Sequence, residues 1–207
     1  MVSSSCKKRS REKSSPNGHS GLKGAWSDSK TKTHMATLAQ IVEKLKTRFS
    51  DALEDVCEFR GEFTVRVKPD ALVEMCAFLR DDPDCAFDFL SDVSGVDYYP
   101  EEPRFGVNYH LTSTEFRQQL RLKVRVSGPD PRVPTVTSVW SAANWFERET
   151  YDLFGVTFVG HPDLRRILLP QDFQGHPLRR DQPLVQEEVQ FTHNFDEIDR
   201  AKPYARS

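Results

Sequence analysis

The segment Trp145-Phe-Glu-Arg-Glu-Thr-Tyr-Asp-Leu-Phe-Gly155 most constrains how this chain can fold. It mixes bulky aromatics with three carboxylates and an arginine, and it ends on a residue suited to the left-handed turn that closes a helix. The spacing predicts a helix from about Ser138 to Phe154. At 3.6 residues per turn, Val139, Ala142, Ala143, Phe146, Thr150, Leu153 and Phe154 share one stripe, the expected core face. Trp140, Asn144, Glu147 and Tyr151 form a second stripe, and Trp145, Glu149 and Asp152 a third. Arg148 can reach Asn144 or Asp152 one turn away. A surface helix of a monomer has little use for large or charged groups on three sides, so this helix is expected to be contacted on several of them.

Around it the chain reads as α+β. Thr37 and Gln40 have the spacing of a capping box, and Leu38, Ile41, Val42, Leu45 and Phe49 follow as a helical stripe. Val56 to Phe59, a turn at Arg60-Gly-Glu62, then Phe63, Val65 and Val67 alternating with Thr64, Arg66 and Lys68 predict a hairpin. One charged face on a period of two means a sheet wet on one side. Pro69-Asp70 opens a second helix, with Leu72, Met75, Cys76 and Leu79 facing inward. Phe87, Phe89, Leu90 and Val93 form a short apolar segment. Two strands follow, Phe105–Leu111 and Leu120–Val126, before Pro129, Pro131 and Pro134 break the chain. The expected architecture is a single domain with a mixed or antiparallel sheet flanked by helices, plus an extended C-terminal arm. In that arm, Gly160-His-Pro and Gly175-His-Pro each precede an Arg-Arg pair. Prolines at 162, 170, 177 and 183 make it irregular, and a stretch of that kind is expected to lie on a partner.

Charge is unevenly spread. Residues 1–34 carry eight basic and two acidic side chains, leaving 21 of the chain's 29 basic and 29 of its 31 acidic residues to the rest. That first segment is too poor in apolar groups to offset its ordering entropy and is expected to be disordered. A nucleic-acid arm, a transit peptide and an over-extended start compete for it. The acidic body gives no support to nucleic-acid binding, and Pro16, Gly18, Gly21 and Gly24 oppose a transit helix, which favours a dispensable start before Met35. The expected divisions are therefore 1–34, a domain over 35–184, and an extended tail over 185–207. No run approaches the eighteen or more apolar residues of a membrane span, so membrane association is expected only through partners.

Three chemistries compete for the reactive side chains. Glu147, Glu149 and Asp152 could form an acid/base set for hydrolysis, but successive stripes point them apart. His161 and His176 could join them around a metal, but neither has the i, i+4 spacing of a helical pair and each precedes a proline. Hydrogen bonds to carbonyls are the plainer role for both histidines. Cys6, Cys57, Cys76 and Cys85 form no CxxC pair, and a four-thiolate cluster lacks ligands within the body, so reduced thiols are expected. Nucleotide-binding glycine motifs and a nucleophile elbow are absent from the sequence. The charged helix then needs a different role. Losing one partner of a buried pair costs about 3–5 kcal/mol, so such groups fix an interface, pin the helix to the His161–Arg180 stretch, or do both.

The spacing Glu147-Arg-Glu149, Asp152-Leu-Phe154, His161, Arg165, Ile167-Leu168 resembles the signature of the 30 kDa subunit family of respiratory complex I, known in bacteria as the C-type subunit of NADH-quinone oxidoreductase. Pro131-Arg-Val-Pro-Thr-Val-Thr137, Gly175-His-Pro-Leu-Arg179 with Asp181, Asp92-Val-Ser-Gly-Val-Asp-Tyr98 and Arg104-Phe-Gly-Val-Asn-Tyr-His110 extend the likeness over about residues 36 to 184. The resemblance implies an accessory subunit without cofactors of its own, the flavin and iron–sulfur clusters residing in partner subunits. It implies docking on the 49 kDa (D-type) subunit in the hydrophilic arm of the enzyme, near the quinone-reducing module. Electrons would pass from NADH to quinone, with proton translocation, only in the assembly. It further implies a peripheral place on the cytoplasmic face of the bacterial inner membrane, or on the matrix side in mitochondria. Related dehydrogenases and membrane-bound hydrogenases carry corresponding subunits, and a free-standing acid/base hydrolase is the competing class. Glu147, Arg148, Glu149, Asp152, His161 and Arg165 are the expected interface and supporting network.

Overall fold

The structure, a computed structural model, describes residues 36–181, 193 and 195–201. Helix α1 (Leu38–Arg48) opens on the expected box, Thr37 N donating to Gln40 Oε1 at 2.8 Å and Gln40 N to Thr37 Oγ1 at 3.4 Å. Strands β1 (Leu53–Phe59) and β2 (Glu62–Val67) form the hairpin. After a single 3₁₀ turn at Pro69–Ala71 come α2 (Leu72–Asp81), β3 (Phe89–Asp97), β4 (Phe105–Ser113) and β5 (Gln118–Val126).

The five strands make one mixed sheet in the order β1-β2-β5-β4-β3, with β2 and β5 parallel and every other neighbour antiparallel. Alternation puts Val65, Val67, Val107, Tyr109, Leu111, Leu122 and Val124 on one face, all fully buried with Ile41, Leu45, Leu72, Met75 and Leu79 of α1 and α2. Each such aliphatic side chain contributes about 1.5–3 kcal/mol by leaving water. Thr64, Arg66, Asn108, His110, Arg121, Lys123 and Arg125 take the opposite, open face, so the sheet is wet on one side as its pattern requires.

Helix α3 (Ala143–Phe154) packs on the covered face at β3. Thr150 Oγ1 donates to Val93 O at 3.1 Å, and the Phe154 ring lies so close to Gly95 that a Cβ there would stand 2.5 Å from it. Glycine at 95 is what lets helix and strand approach.

Three expectations need correction. Helix α3 begins at Ala143 rather than Ser138, because residues 136–142 form separate turns in which Val139 N and Trp140 N both donate to Val136 O. Two short parallel strands, β6 (Arg132–Pro134) and β7 (Thr157–Val159), flank α3 where only chain breaks and an arm were expected. The arm itself lies on its own domain as far as Asp181, held by hydrogen bonds to α3 and β3. The basic segment 1–34, Cys6 and most of the tail 185–207 fall outside the described residues. Within the tail, Phe195–Ala201 forms a helix, α4, where the sequence shows no strong periodicity. Cys57 is exposed, Cys76 and Cys85 are buried, and all three are free thiols.

Candidate functional site

The polar side chains of α3 turn inward. Glu147, Arg148, Thr150 and Asp152 are buried, whereas Phe146, Leu153 and Phe154 of the expected core stripe are only half-buried. Glu147 is 0% exposed and faces the chain just before the helix. Thr135 Oγ1 donates to one of its oxygens at 2.5 Å and Val136 N to the other at 2.8 Å. No ion pair reaches it among the described residues. Burial therefore pushes its carboxyl up to about 7, and the two donors only partly oppose that.

Asp152, also 0% exposed, sits in a different environment. The consecutive amides of Ile167, Leu168 and Leu169 converge on Oδ2 at 3.1, 2.8 and 2.9 Å, and Arg166 Nη1 donates to Oδ1 at 2.7 Å. Burial raises its pKa, but the amides and the guanidinium outweigh burial and hold the carboxyl below its ordinary value. Three successive N–H groups closing on one oxygen make a nest that a charged acceptor satisfies best.

The arm also closes the end of α3. A helix leaves its last four carbonyls without helical partners, and here every one finds a donor. Gly155 N donates to Tyr151 O at 2.8 Å, His176 Nδ1 to Asp152 O at 2.8 Å, Leu178 N to Leu153 O at 3.1 Å and Arg179 Nε to Phe154 O at 2.6 Å. The Arg179 guanidinium at this end also suits the negative pole of the helix. Gly155 is left-handed at φ 72°, and any Cβ there would run into His176 and Arg179. Beyond it, the buried carboxylate of Asp97 accepts from both sides of the Arg104 guanidinium at 2.9 and 2.7 Å and from Arg180 N at 2.8 Å. Arg104 reaches on to Asp181 at 3.0 Å, and its paired contact holds Asp97 well below the usual carboxylate range.

Of the six residues singled out in the sequence, four brace the fold. Besides Glu147 and Asp152, Arg148 donates to the carbonyls of Arg165 and Arg166 at 3.2 and 3.4 Å, not to Asn144 or Asp152 as expected. His161 Nε2 meets Asn144 O at 3.3 Å while Nδ1 accepts from Asp163 N at 3.1 Å, which leaves Nε2 as the donor to the helix carbonyl. Glu149 and Arg165 are exposed, and among the described residues Arg165 pairs with Asp163 at 2.9 Å. His176, expected from the sequence to hydrogen-bond a carbonyl, does so at Asp152 O, while Arg104, Arg166, Arg179 and Thr135 carry as much of the network without being singled out; the paired arginines after each Gly-His-Pro are the available signal.

The carboxylates of Glu147, Glu149 and Asp152 do not converge on a common point: one faces the Thr135 loop, one solvent and one the arm. Among the described residues no three His, Cys, Asp or Glu side chains are grouped to hold a metal, and no helix is long and apolar enough to cross a membrane. The scaffold also displays large apolar side chains outward. Trp145 is 60% exposed beneath the Arg148 guanidinium at 5.2 Å, and Leu168, whose amide is held by Asp152, is 60% exposed as well. Val159, Leu178 and Phe173 are exposed along the same part of the chain.

Comparison with known proteins agrees with this arrangement. Residues 65–188 match the family described as respiratory-chain NADH dehydrogenase, 30 Kd subunit. The C-type subunit of NADH-quinone oxidoreductase from Roseiflexus sp. (strain RS-1) is 49% identical over 168 residues, 81% of this chain and 97% of that protein. Its counterpart from Geobacter metallireducens is 50% identical over 151 residues, 72% of this chain and 92% of its own length. A trypsin-resistant fragment of Nqo5 superposes with a TM-score of 0.54 at 34% identity, covering 61% of this chain and 98% of the fragment. A chain of the membrane-bound sulfane sulfur reductase, an archaeal respiratory membrane complex, superposes at 0.61 over 71% of this chain and 86% of that one; at 24% identity this shows a shared fold alone. With a family match over most of the domain and relatives at about half identity, the chain belongs to the 30 kDa subunit family of the respiratory NADH dehydrogenase, the family of the C-type subunit of NADH-quinone oxidoreductase.

Proposed function

We propose that this chain is an accessory, non-catalytic subunit whose α3 edge and arm dock on the 49 kDa (D-type) subunit in the hydrophilic arm of the enzyme. The observation that carries this reading is the exposure of Trp145 and Leu168, 60% each, on backbone that buried charges hold in place. Large side chains on a pre-ordered scaffold lose little further entropy on binding, and tryptophan is among the residues that most often anchor an interface. Glu149 and Arg165 stand exposed in the same two segments, α3 and the arm, as a polar rim. The buried groups do a different job. Glu147 and Asp152 are fully buried, and their job is the positioning of the 135–136 loop and the 166–169 segment.

In this reading, flavin and iron–sulfur clusters sit in partner subunits, and electron transfer from NADH to quinone, with coupled proton translocation, belongs to the assembly. The chain is peripheral, on the cytoplasmic face of the bacterial membrane. The bacterial origin of its relatives supports that placement, as does the lack of a spanning helix among the described residues. The test is purification of the tagged chain from gently solubilised membranes, with NADH:quinone reductase followed in the eluate. Co-elution of a flavin and iron–sulfur enzyme is expected, with crosslinks from the Trp145 edge to the D-type subunit. Recovery of the chain alone, as a monomer, would overturn the reading.

A further inference from the structure

The open face of the five-stranded sheet carries a block of cations that no carboxylate neutralises among the described residues. Arg121, Lys123 and Arg125 occupy alternate positions of β5 and so share one face, while the intervening Leu122 and Val124 are buried on the other. Arg66 on β2 is the register partner of Lys123. None of the four cations forms an ion pair among the described residues.

Their contacts are with neutral groups. Arg121 donates to Thr64 Oγ1 at 2.9 and 2.7 Å, Lys123 to Tyr98 Oη at 2.5 Å, and Arg125 to Pro103 O. Lys123 and Arg125 also lie 4.6 and 3.9 Å from the centre of the Tyr98 ring. Arg66 Nε is withdrawn from solvent and has no acceptor among the described residues. Asp55 opposite Arg66 and Asp92 opposite His110 flank the block, and neither closes an ion pair with it.

Like charges in opposed positions weaken a sheet, and a buried guanidinium N–H without an acceptor costs further stability. We propose that this face docks a carboxylate-rich segment of another subunit of the complex, on the side of the sheet opposite α3 and the arm. Charge complementarity selects an acidic partner. Side chains two apart on β5 repeat at roughly 7 Å, which suits carboxylates at alternate positions of an extended segment. The aromatic ring within the block, Tyr98, is already covered by two cations, so the block itself offers no free ring on which a base could stack. The proposal rests on the chain being assembled in the enzyme, and not on which partner lies over Trp145.

Zero-length carbodiimide crosslinking of the intact purified enzyme, followed by peptide mapping, tests it, because amide formation requires an amine and a carboxylate in contact. The expected product joins Lys123 Nζ to an Asp or Glu of another subunit and is missing from a Lys123→Arg enzyme that still assembles. Replacing Arg66, Arg121 and Arg125 together with Gln should roughly halve the salt concentration at which that subunit is released, since such pairs are screened. Enzyme that contains the chain, gives no such product and acetylates Lys123 as fully as the exposed Lys46 overturns the proposal. Enzyme that lacks the chain altogether would instead overturn the subunit reading.

Discussion

The two halves of α3 bury a carboxylate each and treat it in opposite ways. Glu147 and Asp152 are five residues apart and equally inaccessible, yet Glu147 rises to about 7 while Asp152 is held below its ordinary value. The difference lies in the donors. Glu147 has one hydroxyl and one amide, whereas Asp152 has three amides and a guanidinium, enough to outweigh both burial and an unfavourable position in the last helical turn. Burial alone does not set ionisation. The arrangement also divides the labour, since the weakly held carboxylate orders a loop eleven residues away and the strongly held one anchors an arm up to 17 residues away.

The largest break in this contrast should come from Asp152→Ala, which strands Arg166 and three amides. A loss of about 3–5 kcal/mol is expected from the cost of orphaning a buried pair, read by denaturant unfolding. Limited trypsin should also gain a cleavage after Arg166, which wild type holds against Asp152.

Glu147→Gln sharpens the contrast through pH. The folded pKa of Glu147 stands near 7, above its ordinary 4.5, so the folded state holds the proton more tightly than the unfolded chain. The resulting stability is full below about pH 4.5, falls as pH rises through 7 and is flat above that. Wild type should lose about 3 kcal/mol across this window at 1.36 kcal/mol per pKa unit, and the Gln variant should not. Parallel slopes in a pH series of unfolding curves would contradict the assignment.

Gly155→Ala attacks the closure of the helix. The left-handed residue alone costs about 1–2 kcal/mol, and displacement of His176 and Arg179 adds to it, visible as a lower Tm. Smallest is Thr135→Val, which removes one donor to Glu147. It should destabilise by about 1 kcal/mol and move the pH transition upward from 7, the direction opposite to any gain of support.

Much of the scaffold was legible because its signals are local. The alternation of Phe63, Val65 and Val67 and of Leu120, Leu122, Val124 and Val126 located strands, the Thr37–Gln40 box located a helix start, and Gly155 a helix end. Strands β6 and β7, three residues each, are too short for alternation to register. The inner face of α3 escapes periodicity for a deeper reason. Periodicity assigns apolar residues to the core and charges to water, but Glu147, Arg148 and Asp152 go inside because their partners arrive from outside the helix: 12 residues before Glu147, up to 18 after Arg148 and up to 17 after Asp152. The prolines of the arm suggest a segment laid on a partner, and they give no sign that its amides also close on this domain's own helix.

The most direct test of a docking role for this braced edge is quantification of assembled NADH:quinone reductase in cells carrying Trp145→Glu with Leu168→Glu. The account predicts at least a tenfold fall in assembled enzyme, as for loss of a central anchor worth about 2 kcal/mol or more, with unchanged turnover per assembled complex. Normal assembly with lost turnover would contradict it and place this chain in the chemistry itself.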